Sequence, residues 1–365
     1  MTNVAHAFYL SKRSVQTIVN TWHGIPLKGC GKEDKTQTLS TATYLLKNFL
    51  QADYLISASP FLSRIYQHSF QLNNTPYQKI LEVGYPRLDT FKSKLRDQVF
   101  TSFSQMGVNI DVTKKVILYA PTFRGEYGAP ETAIEPYLKL KTAIEDVIDT
   151  TQWQVLIKPH QIVYKTAREQ FKTLDFMIPA TIDANEVLAI TDVLVSDFSS
   201  IFYDFLLTKR PIVFYIPDLE EYKASRGLYH SVDTLPGPIC QTLEELSKVF
   251  TDLDAAVVPF AGRYAEQRTW AGCDFDKGTN SRTIMRHILL GEPATIAEKE
   301  PEKKKLLFTL PPRAKRQIVT TLITVLNKID FTQYDVTLFT EGDKIGTLER
   351  LANELSKELG EIIKD

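Results

Sequence analysis

The feature that most constrains this chain is a repeated alternation of short, wholly apolar runs with longer amphipathic stretches. Val116–Tyr119 (VILY), Trp153–Ile157 (WQVLI), Val193–Val195 and Ile212–Tyr215 (IVFY) are apolar along nearly their whole length. Between and after them lie stretches that read as helices at Ile134–Ile148, Lys165–Leu174, Asn185–Ile190 and Ser200–Leu207. A strand that is apolar on both faces must be covered on both faces, which parallel sheets flanked by helices achieve. A doubly wound α/β domain is therefore expected. Upstream, Ser14–Asn20, Tyr54–Ser57 and Ile80–Val83 are further strand-like runs, with a helical stretch over Thr38–Leu50. The 365 residues suit two lobes and a further fragment. The expected division is a first lobe over 1–105, a second over 106–290, a charged connector over 291–305, and a partial α/β segment over 306–365. In that last segment Leu306–Leu310, Lys315–Ile329, Val336–Phe339 and Leu348–Ile363 read as strand, helix, strand and helix.

Bulk properties narrow the partners. The chain has 43 Lys and Arg against 44 Asp and Glu, a net charge of −1. No broad positive field marks a nucleic-acid binder, so any anion site must be built locally. Cys30, Cys240 and Cys273 are far apart and odd in number, with neither a disulfide framework nor zinc-ligand spacing, which points to a reducing cytoplasm. No window approaches the roughly 18 apolar residues of a membrane span. The opening residues MTNVAHAFYLSKRS lack the form of a signal peptide. Any membrane contact is expected to be peripheral.

In open parallel sheets, ligands bind beyond the carboxyl ends of the strands. Following each expected strand to its end collects polar residues. Thr21-Trp22-His23-Gly24 and Lys28 follow the first, and Thr122 and Arg124 follow VILY. Lys158-Pro159-His160 follows WQVLI, and Ser196-Asp197-Phe198-Ser199-Ser200 follows the Val193 strand. Ser199 or Ser200 can cap the next helix, whose free N–H groups suit a phosphate. Asp197 suits a phosphate poorly and is better placed to orient a neighbour or bind backbone amides. Lys158 and His160 sit on a proline-stiffened turn and can hold or protonate a diphosphate. His23 precedes Gly24, which permits close backbone approach, and an imidazole suits general-base work near neutral pH. Asp252-Leu253-Asp254 has the form of a metal-binding acidic pair but the setting of a solvated helix end. Lys303-Lys304-Lys305 is a short basic patch that would bind anionic lipid only weakly.

Taken together, TWHGIPLK at 21–28, GYPR at 84–87, YAPTFR at 119–124, KPH at 158–160 and SDFSSIFYDFLLTKRPIVFY at 196–215 resemble the CDP-glycerol glycerophosphotransferase family. Members of that family build or prime teichoic-acid and capsule-like polymers in Gram-positive bacteria. The resemblance spans about 14–290. It implies a GT-B fold of two Rossmann-like lobes, with the acceptor side on the first and a CDP-polyol donor mainly on the second. It implies His23 and His160 as the catalytic residues. Lys28, Thr122, Arg124, Lys158, Ser196, Asp197, Ser199, Ser200, Tyr229 and Gly237 are the implied donor contacts, the last two shaping the nucleotide end. The implied partners are the CDP-polyol and a lipid-linked polyol-phosphate or glycan acceptor, met at the inner face of the plasma membrane. Neither the sequence nor the resemblance fixes a metal, an oligomeric state, or glycerol over ribitol. Only 22 residues precede His23, fewer than relatives often carry, so an incomplete first lobe and a fragment are also expectations. The competing readings are a nucleotide-sugar glycosyltransferase on the same fold and a non-catalytic remnant.

Overall fold

The structure is a computed structural model. It describes residues 12–34, 39–74, 79–93, 96–105, 108, 110–122, 125–126, 129–130, 133–171, 175–219, 229, 231–297, 304–310, 322, 325–326, 328–329 and 333–340. The chain divides into two compact units, Met1–Glu298 and Lys299–Asp365.

The first unit opens with a parallel sheet of β1 (Val19–Asn20), β2 (Tyr54–Ser57) and β3 (Lys79–Glu82), in that spatial order. Val19 pairs with Tyr54, and Leu55 with Ile80. Helices α1 (Leu39–Gln51) and α2 (Pro60–Ser69) connect the strands. Pro60 opens α2, where its missing N–H is no loss, and Ser59 caps it by accepting from the Leu62 N–H. β1 is shorter than the expected Ser14–Asn20 run. A turn closes at Arg13–Gln16, and the Asp53 carboxylate takes the Ile18 N–H at 2.7 Å, so pairing starts only at Val19.

After α3 (Thr90–Ser93) and α4 (Arg96–Gln105) the chain enters a second parallel sheet. Its strands are β4 (Lys115–Ala120), β7 (Trp153–Ile157), β8 (Val193–Ser196), β9 (Ile212–Tyr215) and β10 (Ile239–Cys240). A two-residue hairpin of β5 (Gly125–Glu126) and β6 (Ala129–Pro130) lies between β4 and β7 in sequence. The sheet order is β10-β9-β8-β4-β7. From β4 the chain steps outward to β7, then returns to the other side of β4 to build β8, β9 and β10. That reversal creates a crevice at the carboxyl ends of β4 and β8, where ligands of such sheets bind. The covering helices include α5 (Glu135–Glu145), α6 (Gln161–Gln170), α7 (Ala184–Ile190) and α8 (Ile201–Phe205). α6 begins four residues before the expected Lys165, because His160 itself takes the N-cap position.

The chain then returns to the first sheet. The N–H groups of Asn280 and Ser281, at the start of a helix over Asn280–Leu290, both bind the Asp89 carboxylate at 2.8 Å. Beyond it, Glu82 N–H binds the Thr295 carbonyl and Ala297 N–H binds the Ile80 carbonyl, an antiparallel addition to β3. This pairing falls within the stretch expected as a connector from 291. β3 would otherwise expose an unpaired edge, and residues 295–297 cover it. Buried side chains from both sheets, among them Trp22, Phe49 and Tyr85 with Phe202 and Phe214, form one continuous core.

The second unit contains β11 (Lys304–Leu310) paired in parallel with β12 (Tyr334–Thr340). A parallel pair requires a crossover between its strands, and Leu322, Val325 and Leu326 within it carry helical backbone. The expected helix over 348–363 lies outside the described residues.

Gly237 lies where β10 approaches β9. A Cβ on it would stand 2.0 Å from the carbonyl oxygen of Ile212, the first residue of β9. Gly237, expected as a donor contact, is therefore at the amino edge of the sheet, where it packs against β9. Gly237→Ala is expected to lower stability by about 1–3 kcal/mol through overpacking, leaving ligand affinity of the folded protein unchanged. Thermal denaturation checks this, and an unchanged melting temperature would contradict it.

Candidate functional site

His23 is delivered by a strained turn. β1 ends at Asn20, whose buried side chain accepts the Trp22 N–H at 2.8 Å. Trp22 adopts φ 51°, a left-handed conformation costly for a bulky aromatic residue. The cost is offset by burial of its indole against Phe49 and Phe70, at ring-centroid distances of 4.9 and 6.0 Å. With Trp22 turned inward, the next residue, His23, is left exposed. Backbone strain that the surroundings enforce is a recurrent mark of functional sites. Beyond it Ile25 and Leu27 are buried and anchor the loop, and Lys28 follows, half-buried.

Gly24 makes the join between lobes. A Cβ at this position would lie 3.5 Å from Arg87 Nη2 and 3.5 Å from Ser200 Oγ. The His23 loop of the first sheet thus meets the residue that precedes α8 of the second. Arg87 follows β3 and reaches across to Asp204 of α8 with two bonds, Nε to Oδ2 at 2.8 Å and Nη2 to Oδ1 at 3.0 Å. Its guanidinium lies 4.0 Å from the centre of the buried Tyr85 ring. Although the residue as a whole is exposed, desolvation of its ring, and then the Arg87 cation, hold the His23 imidazole below its ordinary pKa. Neutral His23 is consequently the prevailing form near pH 7, the form that accepts a proton.

On the second lobe, three strand ends contribute. His160 caps α6, its Nδ1 accepting the Ile162 N–H at 3.4 Å. The tautomer that fits this bond carries its proton on Nε2. Thr122, beyond β4, donates its N–H and its hydroxyl to the two oxygens of Asp197, at 2.8 and 2.7 Å. Asp197 is fully buried and orients its neighbour as expected, rather than contacting a phosphate. Both donors of Thr122 are engaged, which leaves only its hydroxyl oxygen free to accept from a ligand. Ser199 Oγ accepts the Ile201 N–H at 3.5 Å, while Ser200 occupies the N-cap position without a capping bond.

Four residues expected as donor contacts, Ser196, Lys158, Tyr229 and Asp197, are engaged by other groups of the protein. Ser196 is fully buried and its hydroxyl donates to the Ala120 carbonyl at 3.2 Å. Lys158 donates to the carbonyls of Pro179 and Ile182 at 3.2 and 2.9 Å, and burial lowers its pKa. It braces the loop that carries His160. Tyr229 reaches the first lobe: its N–H binds the Leu27 carbonyl at 3.1 Å, and its hydroxyl pairs with Ser69 at 2.9 Å and accepts the Cys30 N–H at 3.2 Å. These bonds tie the His23 loop down. Asp197 is a positioning residue. Arg124 lies outside the described residues. Asp252 caps the next helix by accepting the Ala255 N–H and lines a cavity of about 410 Å³ with Lys115, Trp153 and Val193. Those are strand starts, so the Asp252–Asp254 pair lies at the edge opposite the site. Among the described residues no group of three or more His, Cys, Asp and Glu could hold a metal ion.

Arg87, Asp204 and Asn20 were not among the expected site residues. Arg87 was within reach of the same strand-end rule, since Gly84-Tyr85-Pro86-Arg87 follows β3 directly. Asp204 lies one turn beyond Ser200, on the same helix face.

Two parallel sheets that meet where the His23 loop lies against Ser200 define a GT-B-type architecture. A profile of the CDP-Glycerol:Poly(glycerophosphate) glycerophosphotransferase family matches residues 1–290, and this chain belongs to that family. It is 29% identical over 306 residues to a teichoic acid poly(glycerol phosphate) polymerase of Bacillus spizizenii, covering 79% of this chain and 74% of that protein. It is 31% identical over 302 residues to a teichoic acid glycerol-phosphate transferase of Staphylococcus aureus, covering 79% and 75%. The solved structure of the wall teichoic acid polymerase TagF superposes with a TM-score of 0.65 at 27% identity, covering 80% of this chain and 72% of that one.

Asp197→Asn exchanges one acceptor for a donor facing Thr122. It is expected to destabilise the fold by about 1–3 kcal/mol, the cost of a buried unmatched polar group. Urea denaturation measures this, and an unchanged midpoint would contradict the assignment.

Proposed function

We propose that this chain transfers glycerol phosphate, or a related polyol phosphate, from a CDP-polyol to a hydroxyl of a lipid-linked or polymer acceptor in teichoic-acid-type synthesis. The observation that carries this reading is the meeting of the His23 loop with Ser200 at the β4–β8 crevice. A base from one lobe and hydrogen-bond donors from the other then flank one reacting phosphorus.

In the transfer, the acceptor oxygen bonds to the phosphorus that bears the polyol, and His23 takes the hydroxyl proton. The bridging P–O bond to CMP breaks, and CMP leaves with the bridging oxygen. His160 donates from Nε2 to the phosphate being released, with the Ser199 and Ser200 hydroxyls beside it. Catalysis of this kind rests on positioning and on preorganised donors. No helix among the described residues is long and apolar enough to cross a membrane. A lipid-linked acceptor would be met by peripheral contact at the cytoplasmic face.

CMP release across CDP-glycerol, CDP-ribitol and UDP-sugars, with lipid-linked acceptors, tests the reading. CDP-polyol turnover is expected, and His23→Ala should lower kcat roughly 10²–10⁴-fold. Turnover of a UDP-sugar alone would replace it with glycosyl transfer. Undiminished turnover by His23→Ala would remove the base assignment.

A further inference from the structure

We propose that Arg87 is a positioning residue for the transfer: with Asp204 it clamps the His23 loop of the first lobe to the Ser200 face of α8 and fixes a cation beside the imidazole. The proposal deepens the function above and rests on its reading of His23 as proton acceptor.

The geometry carries it. Arg87 and Asp204 lie on opposite lobes and make a two-pronged contact, which fixes relative orientation as a single bond would not. Asp204 is four residues after Ser200, so gripping one sets the position of the other. On its other side the guanidinium rests on the Tyr85 ring, and Pro86 stiffens the backbone between them. The same Nη2 lies 3.5 Å from the position a Gly24 Cβ would take, one residue from His23. A Cβ at Gly24 would make van der Waals contact with both Arg87 and Ser200, so the loop lies directly against both.

The charges around His23 agree with the geometry. From the first lobe, Arg87 is the cation that acts on the ring. From the second, Asp204 pairs with Arg87, whose pKa burial lowers most but the Asp204 charge and hydrogen bond, with Tyr85 and Tyr66, raise on balance. Behind them the Tyr66 and Tyr85 phenols are raised by burial, and the Cys30 thiol is raised by burial to about 12. These three groups are therefore uncharged near neutral pH. Lys28, on the same loop, adds a second cation in sequence. Asp204 therefore holds Arg87 in place while leaving its charge felt by the imidazole. A protonated His23 would be disfavoured, and the base would remain available into mildly acidic solution.

Two variants of the full chain test this. Arg87→Gln combined with Asp204→Asn removes both charges without orphaning either, and Arg87→Lys keeps the cation but loses the fork. The His23 titration is read from ring-labelled histidine by NMR, its signal identified by loss in His23→Asn. CMP release is followed as a function of pH. In the double variant the His23 midpoint should rise. A higher midpoint cuts the neutral fraction below it, so kcat should fall more steeply at about pH 6 than at about pH 8. Donor KM should change little. Arg87→Lys should keep the low midpoint yet lose kcat at every pH, and it carries the test alone if the double variant does not fold. A His23 midpoint equal in wild type and double variant overturns the proposal, as does full wild-type kcat in Arg87→Lys. The titration needs no turnover. Failure of the wild type to use CDP-polyols would therefore defeat the functional reading separately, while the clamp is still judged by the titration.

Discussion

A parallel strand buried on both faces can carry polar chemistry only at its ends, and this constraint organises the catalytic unit. β4 and β8 are apolar nearly throughout, with Val116, Leu118, Leu194 and Val195 essentially inaccessible to water. The polar residues they deliver, Thr122 and Ser196–Ser200, therefore gather at one edge. Because the order of strand addition reverses between β4 and β8, that edge opens into a crevice rather than closing over with connections. The smaller sheet obeys the same rule, sending His23 from β1 and Arg87 from β3 toward it.

What joins the sheets is of two kinds. A shared apolar core supplies most of the cohesion, at roughly 25 cal/mol per Å² of buried apolar surface. The Arg87–Asp204 pair contributes differently. Its side chains retain only 25% and 12% exposure, and removing charges from water to that extent costs several kcal/mol per ion before their attraction is counted. Such a pair is a poor source of net stability and a good source of orientation. Tyr229 supplements it from a segment between β9 and β10 that reaches back to Leu27, Cys30 and Ser69.

Much of this was legible in the residues. The apolar runs at Val116, Trp153, Val193 and Ile212 became strands nearly as read, since a run of that kind has few alternatives in a covered sheet. His23, His160, Thr122 and Ser200 follow the carboxyl ends of their strands for the same reason. Side-chain allegiance was not legible. Ser196, Lys158 and Tyr229 stand at the right places in sequence, but each is engaged by a carbonyl, a hydroxyl or an amide brought near only by folding. Gly237 looked like a turn beside a ligand and proved to be the point where two backbones nearly touch. Arg87 and Asp204 are 117 residues apart, and no local pattern links them. The return of residues 295–297 to β3 was likewise hidden, because charged, proline-containing sequence reads as a connector until an unpaired edge strand is available to it.

The central claim is that the donor diphosphate lies at the β4–β8 crevice, between the histidines of the two lobes. A crystal structure of the His23→Asn variant with CDP-glycerol tests it most directly. The diphosphate is predicted to lie beside Ser199 and Ser200, within hydrogen-bonding reach of His160 Nε2, with the polyol phosphorus facing the position of residue 23. Nucleotide bound at the amino ends of the strands, near Lys115 and Asp252, or bound with its diphosphate away from both histidines, would contradict the account.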